Sequence, residues 1–160
     1  MNGLTEHLSR LNAHRAWANR LYVEWAVAQA SSPSFRASSD GEYCLKMFSH
    51  VLRVEAVWLM RLAGGVPENR IWESVPHENM ESLRAANDSG LESALLGDLS
   101  RVARYESFGG VAMETSVADI LTHACTHGMY HRGQVASRAA QAGLPNVPGT
   151  DFIVFSRLFP

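Results

Sequence analysis

Residues 115–143 read TSVADILTHACTHGMYHRGQVASRAAQAG, and this stretch carries the signals of one long helix. Thr115 or Ser116 can cap its N-terminus, because hydroxyl side chains accept hydrogen bonds from the free N–H groups of a first turn. Gly143 follows the last apolar position, and a proline stands close behind it, which is typical of a helix stop. The stretch therefore predicts a helix that ends at Gln141.

Three further segments place apolar residues at helical spacing. They run from Leu4 to Ala30, from Tyr43 to Leu62 and, with weaker periodicity, from Glu78 to Tyr105, with a candidate break at 87–90. A polar loop is expected before the second of them and a longer loop after it. Four long helices without a convincing strand predict an all-α fold, a four-helix bundle in a single domain spanning 1–160.

Composition and charge narrow the function classes. The 160 residues carry a net charge of −2 and no run of Lys or Arg, so we expect no nucleic-acid partner and no electrostatic membrane anchor. No signal peptide or membrane-spanning run is visible. Cys44 and Cys125 lack metal or redox spacing and are expected to be buried free thiols in a reducing compartment. These features predict a cytoplasmic protein.

The helix at 115–143 contains three of the seven histidines: His123, His127 and His131. Residues four apart lie about 40° around a helix and about 6 Å along it, so the three rings form a shallow stripe. Two rings one turn apart can share one metal ion, whereas the outer pair is about 12 Å apart and cannot do so without strain. The spacing predicts two ligands and leaves open which adjacent pair supplies them.

His50 is the best candidate for a third ligand. It shares an apolar helical stripe with Met47 and Val54, which indicates that it faces the bundle interior. Bundles build metal sites from facing helices in this way. The stretch His123–His127 lacks the glutamate of the HExxH motif, so a zincin-type protease is not expected.

Several parts of the chain resemble the DinB/YfiT-like family. The run Leu121–Gln134 resembles its fourth-helix signature, and HRAWANRLY, FSHVLRVEAVWLMRLAG and GLPNVPGTDFIVF match in order elsewhere. The resemblance implies a four-helix bundle that holds one divalent metal, zinc or nickel, through His50, His127 and His131. His123 then matches an additional upstream histidine that is not usually a ligand.

The resemblance also implies a function. Relatives with assigned chemistry are thiol-dependent transferases or isomerases that use bacterial low-molecular-weight thiols, so a thiol and an electrophilic small molecule are the expected partners. Three histidines leave a coordination position open, which suits activation of a thiol. The alternative is a non-catalytic, stress-associated bundle in which the metal is structural or sensed. We expect a homodimer.

Further residues near the histidines have specific expected roles. Glu55, Asp119 and Tyr130 are the nearby candidates to orient the ligand rings, and a surface or packing role is the first expectation for each. Arg132 is expected to pair with a carboxylate of a neighbouring helix, and Gln134 to satisfy backbone groups at a helix contact. The tryptophans at positions 17, 25 and 58 are expected in the core.

Overall fold

A computed structural model describes residues 3–160. Its four long helices are α1 (Gly3–Ala30), α3 (Ser39–Leu62), α4 (His77–Leu95) and α5 (Val117–Gln141). The structure also contains two short helices, α2 (Pro33–Ala37) and α6 (Phe152–Leu158). It contains two strands as well, β1 (Val102–Glu106) and β2 (Ala112–Ser116). The four-helix bundle is confirmed, with a small hairpin added between α4 and α5.

The bundle core forms where α1 and α3 each pack against both α4 and α5. One apolar cluster is centred on Tyr22, Phe48 and Val135, and a second one on Leu91 and Leu121. Burial of these side chains removes apolar surface from water and is the main favourable contribution to folding. The contact between α3 and α5 brings the histidines of the two helices together.

Hydroxyl caps set the beginnings of three helices. The Ser116 side chain accepts a hydrogen bond from the Asp119 N–H, so the predicted cap of α5 is confirmed. Ser32 and Ser38 cap α2 and α3 in the same way. The polar loop predicted before Tyr43 is therefore largely helical, because serine in a polar stretch also serves as a helix cap.

The segment predicted as one helix from Glu78 to Tyr105 is two different elements. α4 runs without interruption through residues 87–90, where the buried Asn87 amide donates to the Leu52 carbonyl at 2.8 Å and Gly90 packs closely against Leu59. It ends at Leu95, and the remaining residues enter β1.

β1 pairs antiparallel with β2, and the Ser107 N–H donates to the Val111 carbonyl at 2.8 Å beside the turn. The prediction that the chain has no strand was wrong. Burial alternates along β1, where Ala103 and Tyr105 face inward and the other three residues are exposed, but two inward positions are too few to identify a half-buried strand in sequence.

The three tryptophans differ in burial. Trp25 is in the core, and its indole N–H donates to the Pro145 carbonyl at 3.0 Å. Trp17 and Trp58 are only partly buried: Trp17 packs against Phe155 of α6, and Trp58 packs under the hairpin.

No helix within residues 3–160 combines the length and the apolar character needed to cross a membrane.

Candidate metal centre

His50, His127 and His131 converge between α3 and α5. Each ring offers a nitrogen, and these nitrogens all lie within 4.8 Å of one another. His50 and His131 are 4% and 8% exposed, and His127 is half-buried. Of the two adjacent pairs that the spacing allowed, the structure joins His127/His131 to His50.

Two of the rings are oriented by hydrogen bonds at Nδ1. The His50 Nδ1 lies 2.8 Å from the Ile71 carbonyl oxygen, which can only accept, so Nδ1 must carry the proton. The His131 Nδ1 lies 2.7 Å from Oε1 of Gln134, which fixes the same tautomer. In this tautomer both rings present a bare Nε2 to the space between the helices, the form in which imidazole binds a metal.

The third ring, that of His127, lacks such support. Its Nδ1 is buried without a hydrogen-bond partner, and its Nε2 lies 3.2 Å from Nε2 of His50. If the His127 proton is on Nδ1, the lone pairs of the two Nε2 atoms face each other. If the proton is on Nε2, it can be donated to His50, but Nδ1 is then buried as an acceptor without a donor. A cation bound by both Nε2 atoms removes the first conflict, so the three residues fit a divalent ion.

Burial favours the neutral form of two of these rings, His50 and His127. It lowers the pKa of His50, although the hydrogen bond to the Ile71 carbonyl partly opposes this. Burial, together with the neighbouring histidines, lowers the pKa of His127 to about 3. At neutral pH protons therefore do not compete with a metal at these two rings.

Two exposed aromatic residues border the site. The Trp72 indole stacks on the His50 ring, with centroids 3.8 Å apart and planes 4° apart. Tyr130 packs edge-on against His131 at 5.0 Å. Because Trp72 is 50% and Tyr130 64% exposed, both rings present surface to a ligand that approaches the histidines.

His123 is brought near the cluster but not into it. Its ring lies 5.1 Å from that of His127 and 5.5 Å from that of Trp58, and the residue is exposed. One turn of helix separates it from His127, so its ring continues the stripe toward the hairpin.

The predicted supporting residues are mostly elsewhere. Glu55 is buried in an ion-pair network with Arg15, and Asp119 accepts a hydrogen bond from the Ser116 hydroxyl at the cap of α5. Arg132 donates to the Asn19 side-chain oxygen at 2.7 Å instead of pairing directly with a carboxylate. Of the three residues expected to orient the rings, only Tyr130 contacts a histidine of the cluster.

Gln134 and Ile71 provide the orienting contacts that sequence reasoning missed. Gln134 had been expected to bond backbone, yet it lies three residues after His131, a spacing at which side chains on a helix meet. That spacing was a usable signal. Ile71 acts through its backbone carbonyl oxygen, a group that every residue has, so this contact could not be predicted from the residue type.

The two cysteines do not join the site. Cys44 and Cys125 are buried free thiols, and burial raises the pKa of each to about 11. Both stay protonated at neutral pH and are therefore poor nucleophiles and poor ligands.

We predict that Gln134→Leu weakens metal binding roughly 10–100-fold, because loss of the acceptor at Nδ1 frees the His131 ring to rotate. Competition with a chromogenic chelator measures the affinity. Gln141→Leu, on the exposed last turn of α5, is the matched control and should leave the affinity unchanged. Equal affinities for the two variants would contradict the orienting role.

The DinB family model matches residues 6–158 of the chain. No curated protein and no solved structure matches it. The match covers nearly the whole bundle, including all three histidines of the cluster. The chain belongs to the DinB family.

Proposed function

We propose that the protein is a metal-dependent thiol S-transferase, which joins a low-molecular-weight thiol to an electrophilic small molecule. The observation that supports this best is the convergence of three imidazoles from two helices, each of which offers a nitrogen within 4.8 Å of the other two. Three protein ligands are the arrangement of a catalytic site rather than of a closed structural one.

A divalent ion, zinc or nickel in our proposal, would be held by His50, His127 and His131 and would lower the pKa of a thiol at its open position. The protein's own part is to hold the three rings in place. The Ile71 carbonyl and the Gln134 amide orient two of them, and Trp72 covers the face of one.

The exposed aromatic rings suit the second substrate. Trp72 and Tyr130 each contact a different ligand histidine and keep half or more of their surface accessible. An unsaturated or halogenated carbon compound would pack against them while its electrophilic carbon meets the thiol sulfur. With a halogenated compound, a new S–C bond forms, the halide departs with the electron pair of its bond, and the thiol proton passes to water. With an unsaturated compound, the S–C bond forms as the π bond breaks, and its electron pair takes up a proton, so that the thiol proton is not lost overall.

The test is thiol consumption with a chromogenic electrophile, 1-chloro-2,4-dinitrobenzene, in the presence of cysteine, glutathione, bacillithiol or mycothiol. We expect metal-loaded protein to accelerate thioether formation with at least one thiol, and chelated protein and His50→Ala to lack this acceleration. If the rate is the same with and without metal, the S-transferase proposal is wrong.

The second candidate is a non-catalytic bundle in which the metal is structural or sensed. The Nε2 atoms of His50 and His127, which lie 3.2 Å apart, support it, since an ion that relieves the repulsion of two facing lone pairs also stabilises the fold. A chelator would then lower the melting temperature while no thiol and electrophile pair is turned over.

We further propose that the protein acts as a homodimer in the cytoplasm. Exposed apolar side chains of α6, Ile153 and Leu158 among them, lie on the surface and could pack against a second copy. The two free cysteines agree with a reducing compartment.

A further inference from the structure

The side chain of Arg61, near the end of α3, is surrounded by aromatic rings. Its guanidinium carbon lies 4.4 Å from the ring centre of Tyr105 and 4.9 Å from those of Trp58 and Phe108. The residue is 7% exposed. The aromatic faces stabilise the cation in part, through the ring quadrupoles.

No protein acceptor completes this environment among residues 3–160. The buried Nε of Arg61 has no hydrogen-bond partner, and no carboxylate lies within ion-pair distance of the guanidinium. Burial accordingly lowers the pKa of Arg61. No hydrogen bond joins either terminal nitrogen to a protein group among residues 3–160, so both can donate to a ligand.

The other buried arginines show what a purely structural arrangement looks like. Arg15 pairs with Glu55 at 3.1 Å and with Asp88 at 2.8 Å, and Arg132 donates to the Asn19 oxygen. Arg15 and Arg132 also have buried nitrogens without a hydrogen-bond partner, but each has at least one protein acceptor, whereas Arg61 has none among residues 3–160. A buried cation without any acceptor is costly, and this distinguishes Arg61 from the other two.

A continuous row of side chains connects Arg61 with the candidate metal centre. Trp58 contacts both Arg61 and His123, and His123 contacts His127. Each step spans 4.9–5.5 Å. The three steps together set an upper limit on the distance from the guanidinium to the His127 ring, and an extended molecule of about four residues, roughly 14 Å long, can span that distance with a contact at each end.

We propose that Arg61 binds a carboxylate of the thiol substrate, at the end of the molecule remote from the sulfur. One guanidinium supplies one positive charge in a planar fork, which matches a single carboxylate in charge and geometry. The aromatic rings around it exclude water and so strengthen the contact. The assignment rests on the proposed function in that it places the sulfur of the same molecule at the histidines.

The test measures binding of glutathione and of its diethyl ester to zinc-loaded protein by calorimetry. Wild type should bind glutathione at least about tenfold more tightly than the ester, because a charge-assisted hydrogen bond contributes on the order of a factor of ten or more. Arg61→Gln should remove this preference and leave ester binding unchanged. Arg101→Gln, an exposed arginine that also contacts the end of α3 through the Leu62 carbonyl, is the control and should keep the preference.

A separate arm removes both the thiol and the metal. S-methylglutathione is titrated into chelated wild type and Arg61→Gln, with Arg61→Lys as a variant that keeps the charge. Binding that depends on Arg61 here supports the carboxylate site even if thiol transfer is absent. The proposal is overturned if wild type does not prefer glutathione over its ester, if Arg61→Gln weakens both ligands equally, or if S-methylglutathione binding is absent or ignores Arg61.

Discussion

His127→Ala is expected to lose most of its bound divalent metal, and His131→Ala likewise. Each variant leaves only two of the three nitrogens that now lie within 4.8 Å of one another. Loss of a ligand should weaken binding by more than the roughly 10–100-fold that loss of a supporting partner costs. Elemental analysis after dialysis against a weak chelator measures the occupancy, and circular dichroism verifies that the helices persist.

His123→Ala is the matched control for these variants. It lies on the same stripe of α5 but outside the cluster, so its occupancy should stay close to that of wild type. A His127 or His131 variant with full metal occupancy would show that the ion binds elsewhere.

The second large effect concerns stability. Glu55 is 1% exposed and accepts from Asn19 at 2.8 Å and from Asn87 at 3.3 Å, besides pairing with Arg15. Glu55→Ala removes an acceptor from all three groups and leaves the buried guanidinium with Asp88 as its one carboxylate and with the Asn12 side-chain oxygen. We expect the free energy of unfolding, measured in urea, to fall by about 3–5 kcal/mol.

Glu24→Ala provides the contrast, because it breaks the exposed pair of Arg20 and Glu24 on α1. Its cost should stay within about 1 kcal/mol, since solvent screens exposed pairs. If Glu55→Ala does not fold, Glu55→Gln can be measured instead, because it keeps an acceptor for the amides of Asn19 and Asn87. Its loss of unfolding free energy should lie between that of Glu24→Ala and that of Glu55→Ala. A Glu55 variant as stable as the Glu24 variant would contradict the importance of the buried network.

The long helices could be predicted because their apolar periodicity and their stop signals agree. α1 was expected to begin at Leu4 and begins at Gly3, and α5 has the cap and the end that the residues around 115–143 predict. The hairpin was not predictable in the same way. β1 exposes three of its five residues. Its two inward-facing positions are too short an alternation to be distinguished from the weak helical periodicity of α4.

Part of the candidate site could likewise be predicted from local sequence patterns, and part depends on tertiary packing. His50 could be singled out because an apolar stripe indicates an inward face, but the choice between the two pairs on α5 depends on how α3 and α5 pack. That packing is a tertiary property, and only the family resemblance chose the pair beforehand. The stacking of Trp72 on His50 depends on the path of the loop before α4, which no local pattern specifies.

Two neighbours in sequence, His131 and Arg132, lie about 100° apart around α5 and so face different partners. The Arg132 guanidinium reaches Asn19 at 2.7 Å, and the Tyr22 hydroxyl donates to the Arg132 carbonyl at 3.1 Å. These bonds fix the rotation of α5 against α1 whether or not an ion is present, so the site is preorganised. Ions should therefore exchange without refolding of the bundle, and the ion that occupies the site follows intrinsic affinity and cellular supply rather than a shape selected during folding.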